Sequence, residues 1–152
     1  VVGRDGHLRG FNYDAFGYVE SLREAAPGWR ADSGPAVVLG AGGAARAILA
    51  GLIGEGVKEI RLANRTLERA QRLAAEFGPR VHAVEWDERE AALAGAALLV
   101  NTTSMGMTGQ PPLEIALDDL PQTALVSDIV YVPLETDLLA QARKRGLRGV
   151  DG

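Results

Sequence analysis

PAVVLGAGGAARAIL, residues 35–49, is the stretch on which the fold turns. Its first part is a short, wholly apolar run ended by Gly40, and Ile48, Leu49, Leu52 and Ile53 then fall at helical spacing. Such a pattern reads as a buried strand running through a tight turn into a helix. The turn itself, GAGGAA, is a GxGxxA arrangement made by Gly40, Ala41, Gly42, Gly43, Ala44 and Ala45. Gly40 allows the tight turn, Gly42 lets the backbone approach a pyrophosphate, and Ala45 permits close packing of helix on strand. Out of context the same residues often make a mere βα turn. Between an apolar strand and a helix start they favour a dinucleotide, whose negative charge the free N–H groups of the first helical turn can hold.

Outward from this unit the chain alternates regularly. KEIRLAN (58–64), VHAVEW (81–86), ALLVNTT (97–103), ALVSDIVYV (124–132) and LRGV (147–150) read as five further strands. LERAQRLAAEF (67–77) carries Leu67, Ala70, Leu73, Ala74 and Phe77 on one stripe before Gly78 and Pro79 stop it, and LLAQARKRG (138–146) ends in cations that offset a helix dipole. Six strands, several apolar throughout, interleaved with helices, predict an α/β fold. The expected form is a Rossmann-type doubly wound parallel sheet in the order 3-2-1-4-5-6.

Composition narrows the function. With 47% hydrophobic and 24% charged residues in a chain of 152, one compact domain with a real core is expected. The absence of cysteine excludes a disulfide framework and thiolate metal ligands, and two histidines make no histidine-rich metal site. A net charge of -4 argues against nucleic acid. No apolar stretch reaches the ~20 residues of a membrane span, and the reading is cytoplasmic. His7 and His82 lack any evident partner and read as structural or exposed.

The cofactor class follows from the end of the second strand. A domain that binds NAD places Asp or Glu there, about 20 residues past the glycines, to accept hydrogen bonds from the ribose. Here the strand ends in Asn64-Arg65-Thr66. An acid would repel a 2′-phosphate, whereas arginine pairs with one, so NADP is indicated. Thr66 reads as a helix N-cap, which puts Arg69 in the first turn where a cation opposes the dipole. An anion held by Arg65 and Arg69 together removes that conflict.

NTTSMGM (101–107) leaves the fourth strand at the switch point beside the first, where cofactors bind in open sheets. It offers Asn101, Thr102, Thr103, Ser104 and Met105 to the cofactor, although a polar strand end is as often turn chemistry. DIVYVP (128–133) brings Tyr131 to the end of the fifth strand. GFNYDAFG (10–17) sets Asn12 and Asp14 just before a helix through Phe16, Val19 and Leu22, where Asp14 either caps that helix or faces a cleft from a turn fixed by Asn12 and the flanking glycines. VVGRDGHLRGF ahead of it reads as a hairpin turned at Asp5-Gly6.

GFNYDAFG, VLGAGGAARAI, LANRTLERA, NTTSMGM and DIVYVPLETDLL, in this order and over essentially the whole chain, resemble the NADP-binding half of the shikimate dehydrogenase family. The resemblance implies NADP-dependent interconversion of 3-dehydroshikimate and shikimate, in the pathway to aromatic amino acids. It implies that Asp14 lies on the substrate side and works with a lysine from a preceding domain, and that Asn64, Arg65, Thr66 and Arg69 hold the 2′-phosphate end. Tyr131 is then near both substrate and nicotinamide. The family most often shows NTD where this chain has Asn12-Tyr13-Asp14, a bulky aromatic in place of threonine. The expected organisation is therefore an NADP-binding domain over 1–152, with 1–12 a hairpin or linker from an N-terminal substrate domain. That domain and a C-terminal helix carrying a substrate-binding glutamine lie outside the sequence, and the isolated chain is expected to be inactive. Two alternatives stand beside this reading: a quinate or quinate/shikimate dehydrogenase, and a non-catalytic NADP-binding regulatory module.

Overall fold

The computed structural model describes residues 8–152, with side chains from Gly17 onward. In chain order the elements are α1 (Leu8–Ala25), β1 (Ala36–Leu39), α2 (Gly43–Gly54), β2 (Ile60–Asn64), α3 (Leu67–Phe77), β3 (Val81–Glu85), β4 (Leu98–Asn101), β5 (Leu125–Asp128), α4 (Asp137–Lys144) and β6 (Arg148–Val150). The six strands form one sheet in the order β3-β2-β1-β4-β5-β6, every pair parallel. This is the doubly wound order expected from the sequence.

Strand alternation explains why β1 is apolar throughout and β4 is apolar up to its terminal Asn101. Val38, Leu62 and Val100 pack on one face against Leu22 of α1, Ile48, Leu49 and Leu52 of α2, and Leu73 of α3. Val37, Leu39, Leu99 and Val126 face the other way, against Leu117, Leu138, Leu139 and Ala142. Because both faces are covered, a polar side chain in mid-strand would lose its water on either side. The second face is not built as the first is. No α-helix lies between β4 and β5; an irregular segment plugs that face with Leu113, Ile115, Leu117 and Leu120 instead.

Two expectations at the N-terminal end are corrected. The chain is already helical from Leu8, so the second strand of a hairpin turned at Asp5-Gly6 is not formed; residues 1–7 lie outside the described part. Asp14 lies inside α1 rather than at its start, so it neither caps the helix nor sits in a separate turn. The physical reason is a continuous helical period. Leu8, Phe11, Ala15, Tyr18 and Leu22 recur every three or four residues, and a helix propagates more readily than an isolated two-stranded hairpin. Among the described residues, no helix is long and apolar enough to cross a membrane.

Candidate functional site

The carboxyl ends of the central strands converge on the glycine loop. Gly40 adopts φ +105, a left-handed conformation, and a Cβ there would lie 2.5 Å from Thr102 Oγ1 and 3.0 Å from Thr103 Cγ2. Its position is fixed from both sides: Gly40 N–H donates to Ala63 O at 2.8 Å, while Thr102 donates to Leu39 O through its N–H at 2.9 Å and its hydroxyl at 2.6 Å. Only glycine fits where the β1 and β4 loops cross. Gly42 is different in kind. Its φ of -99 suits any residue, and a Cβ built on it meets nothing within 4 Å. Space is left above Gly42 although the backbone does not require glycine, which is the signature of a cradle for a ligand.

Gly42 is also the N-cap of α2 and provides no capping side chain. The first N–H groups of a helix lack intrahelical partners, so here they face the open side of the loop with their partial positive charge unsatisfied. Ala45 is fully buried on the sheet, as the close helix–strand approach requires.

At the end of β2, the Asn64 side-chain N–H donates to Thr66 O at 2.9 Å and shapes the turn into α3. Thr66 is the N-cap by position but makes no side-chain cap bond. Arg65 follows the strand, Arg69 occupies the first turn of α3, and both are exposed. Their neighbours are partnered. Arg61 bonds Glu59, Ala92 O and Ala94 O, Arg72 pairs with Glu68 at 2.9 Å, and Arg46 pairs with Glu76. Among the described residues neither Arg65 nor Arg69 has a carboxylate partner, so two cations beside a helix N-terminus stand ready for an anion.

The β4 loop differs from what its sequence suggests. Asn101 is 0% exposed and its amide is fully engaged. Its Oδ1 accepts from the Thr103 N–H at 3.0 Å and hydroxyl at 2.7 Å, while its Nδ2 donates to Met105 O at 3.2 Å and Asp128 Oδ1 at 3.1 Å. Asn101 therefore shapes the loop and has nothing left for a cofactor, and the Thr102 and Thr103 hydroxyls are also engaged inside the protein. Met105 is buried; Ser104 is exposed at the rim.

Asp128, at the end of β5, was missed by the sequence reading. It is 1% exposed and accepts from Asn101, from the Val130 N–H at 3.0 Å and from the Thr136 hydroxyl at 2.8 Å. Burial pushes its carboxyl above the usual carboxylate range, and the three hydrogen bonds oppose that shift. Beyond it Tyr131 is 65% exposed, with Val132, Leu134 and, after β4, Met107 also open to solvent. A cavity of about 270 Å³ runs from Ala44 in the first turn of α2 to Asp128 and Ile129, with Tyr18 of α1 and Ser127 on its walls.

The arrangement thus spans the sheet edge: cations at β2, an open loop and helix start at β1, a concave wall at β5. A model of the family described as shikimate / quinate 5-dehydrogenase matches residues 25–132. The chain belongs to this family. It is 59% identical, over all of its length and 55% of the relative's, to the shikimate dehydrogenase (NADP(+)) of Paramagnetospirillum magneticum. Among solved structures it resembles the quinate dehydrogenase of Corynebacterium glutamicum in complex with NAD, at TM-score 0.83 and 33% identity over 93% of this chain and 51% of that one. It also resembles the shikimate 5-dehydrogenase of Thermus thermophilus in complex with NADP(H) and shikimate, at TM-score 0.76 and 38% identity over 93% and 50%. The chain spans about half the length of the curated relatives it matches. Asp14 is the one expected site residue whose side chain lies outside the described residues.

Proposed function

We propose that this chain is the NADP-binding half of an enzyme that interconverts 3-dehydroshikimate and shikimate. The observation that carries the reading is the pair Arg65 and Arg69, exposed and, among the described residues, without carboxylate partners, one strand away from a glycine loop with open space above it. Gly42 and the first turn of α2 hold the pyrophosphate, and the two arginines hold the 2′-phosphate. When bound, NADP supplies or accepts the hydride. Tyr131, exposed three residues past the end of β5, borders nicotinamide and substrate, and Asp14 orients the reacting hydroxyl together with a lysine from outside this chain. The names of the curated relatives support this choice of cofactor and substrate.

The likeness to a quinate dehydrogenase keeps quinate as a second substrate. It does not favour NAD, because the Asn64-Arg65 end of β2 carries no carboxylate to accept hydrogen bonds from a ribose. The cofactor half of the proposal is tested by Arg65→Ala and Arg69→Ala. Each should weaken NADP binding by about tenfold and leave the weaker binding of NAD unchanged, because only the 2′-phosphate is lost as a partner. Calorimetric titration of both cofactors reads this out; an equal loss for NADP and NAD would remove the arginines from the phosphate site.

A further inference from the structure

We propose that Asp128 is a positioning residue that locks the nicotinamide side of the cofactor site by tying three segments to one carboxylate. The inference rests on the cofactor reading above. Through Asn101, Asp128 Oδ1 holds the loop after β4, because the same amide fixes Thr103 and Met105 O. The same Oδ1 accepts the Val130 N–H and so sets the direction in which the chain leaves β5 toward Tyr131. Through Oδ2 it accepts the Thr136 hydroxyl, whose oxygen in turn accepts the Leu139 N–H as the cap of α4. One carboxylate therefore fixes the β4 loop, the β5 loop and the start of α4. A further link runs between the loops, where the Thr108 N–H donates to Val132 O at 2.8 Å.

Strand order decides which half of the cofactor this affects. The arginines that hold the 2′-phosphate follow β2, the helix start that holds the pyrophosphate follows β1, and the sheet continues through β4 to β5. A dinucleotide laid across these strand ends has its adenosine over β2 and its nicotinamide toward β4 and β5. Asp128 and Ile129 line the cavity that begins at Ala44 of α2, beside Val150, Asp151 and Gly152 at and past the end of β6, so the locked end of β5 forms part of its wall. The Asp128 carboxylate, buried and hydrogen-bonded to Asn101, Val130 and Thr136, acts on the site through those partners.

The role is geometric rather than one of charge, and this gives the test. In Asp128→Asn the side-chain oxygen can still accept from Val130 and Asn101, and the new amide N–H can donate to Thr136 Oγ1, whose own proton is free to rotate. In Asp128→Ala all three bonds are lost. Calorimetric titration of the chain with NADP and with adenosine 2′,5′-bisphosphate, which carries only the adenosine half, separates local from global effects. Asp128→Ala should bind NADP about tenfold more weakly and the bisphosphate within about twofold of wild type, while Asp128→Asn stays near wild type for both. If Asp128→Ala does not fold, Thr136→Val removes one of the three bonds and should weaken NADP a few-fold, again without changing the bisphosphate. Unchanged NADP affinity, an equal loss on both ligands, or an Asp128→Asn variant as impaired as the alanine would each overturn the proposal. A wild-type chain that binds neither ligand overturns the cofactor reading, and the lock with it.

Discussion

Gly42→Val is expected to weaken NADP binding by about 100-fold or more while the domain stays folded. The two halves of this expectation rest on separate facts. The backbone at Gly42 has φ -99 and ψ -157, extended values in which valine is at ease, and a Cβ there meets no protein atom within 4 Å. Exchanging glycine for valine at an N-cap costs about 1 kcal/mol, a loss that a domain of this size withstands. The branched side chain must nevertheless project into the space above the loop. It then stands between the α2 N-terminus and the pyrophosphate, and affinity should fall on the order of 100-fold or more. Thermal unfolding and cofactor titration of the same preparation separate the outcomes. A folded variant that binds NADP normally would show that the open space is not the cofactor's.

The second large effect concerns turnover. In the full-length enzyme, Asp14→Asn should lower kcat by about 10²–10⁴-fold and leave the NADP dissociation constant unchanged. Reducing a ketone requires a proton for the developing alkoxide as well as a hydride, and the reverse direction requires a base for the hydroxyl. An ordinary aspartate is ionised at neutral pH and donates no proton, so the part proposed for Asp14 is to orient and polarise the hydroxyl, with the proton exchanged by the proposed lysine outside this chain. Asp14 stands about one helical turn before Tyr18, a residue on the wall of the cavity between α1, α2 and β5. Stopped-flow and steady-state assays with shikimate, beside cofactor titration, read the two quantities separately. Near-normal turnover in the variant would remove Asp14 from the chemistry.

Most of the fold was legible because local signals agreed with one another. Leu67–Phe77 is a helix with the bounds its stripe and its Gly78 stop indicate, and each of the six stretches read as strands contains one, shorter than the stretch itself, most of all in β4 and β5. The strand order followed from alternation with helices and from the glycine loop after β1. Two things were less legible. The start of α1 was obscured by Asp5-Gly6, a strong turn dipeptide, when the helical period already reached back to Leu8. The segment between β4 and β5 replaces a helix with spaced leucines, and no periodicity marks such a plug.

In the sequence the candidate site is legible where the chain leaves open space, at Gly42, or charge without a carboxylate partner among the described residues, at Arg65 and Arg69. It was read less well where polar residues serve the protein itself. Asn101 looked like a ligand contact because it ends a strand at the switch point. Alternation places it on the same face as Leu99, and Asp128 on the same face as Val126. In the parallel register Asn101 stands beside Asp128, so two polar groups on one buried face of neighbouring strands bond each other. Strand order and alternation together contain that pairing; neither motif shows it when read alone.

The central claim is that this domain selects its cofactor by the 2′-phosphate. Its most direct test is titration of the wild-type chain with NADP and with NAD in one low-salt buffer, where exposed charge pairs are least screened. NADP is expected to bind at least about tenfold more tightly, and added salt to narrow the difference. Equal affinities, or tighter binding of NAD, would contradict it.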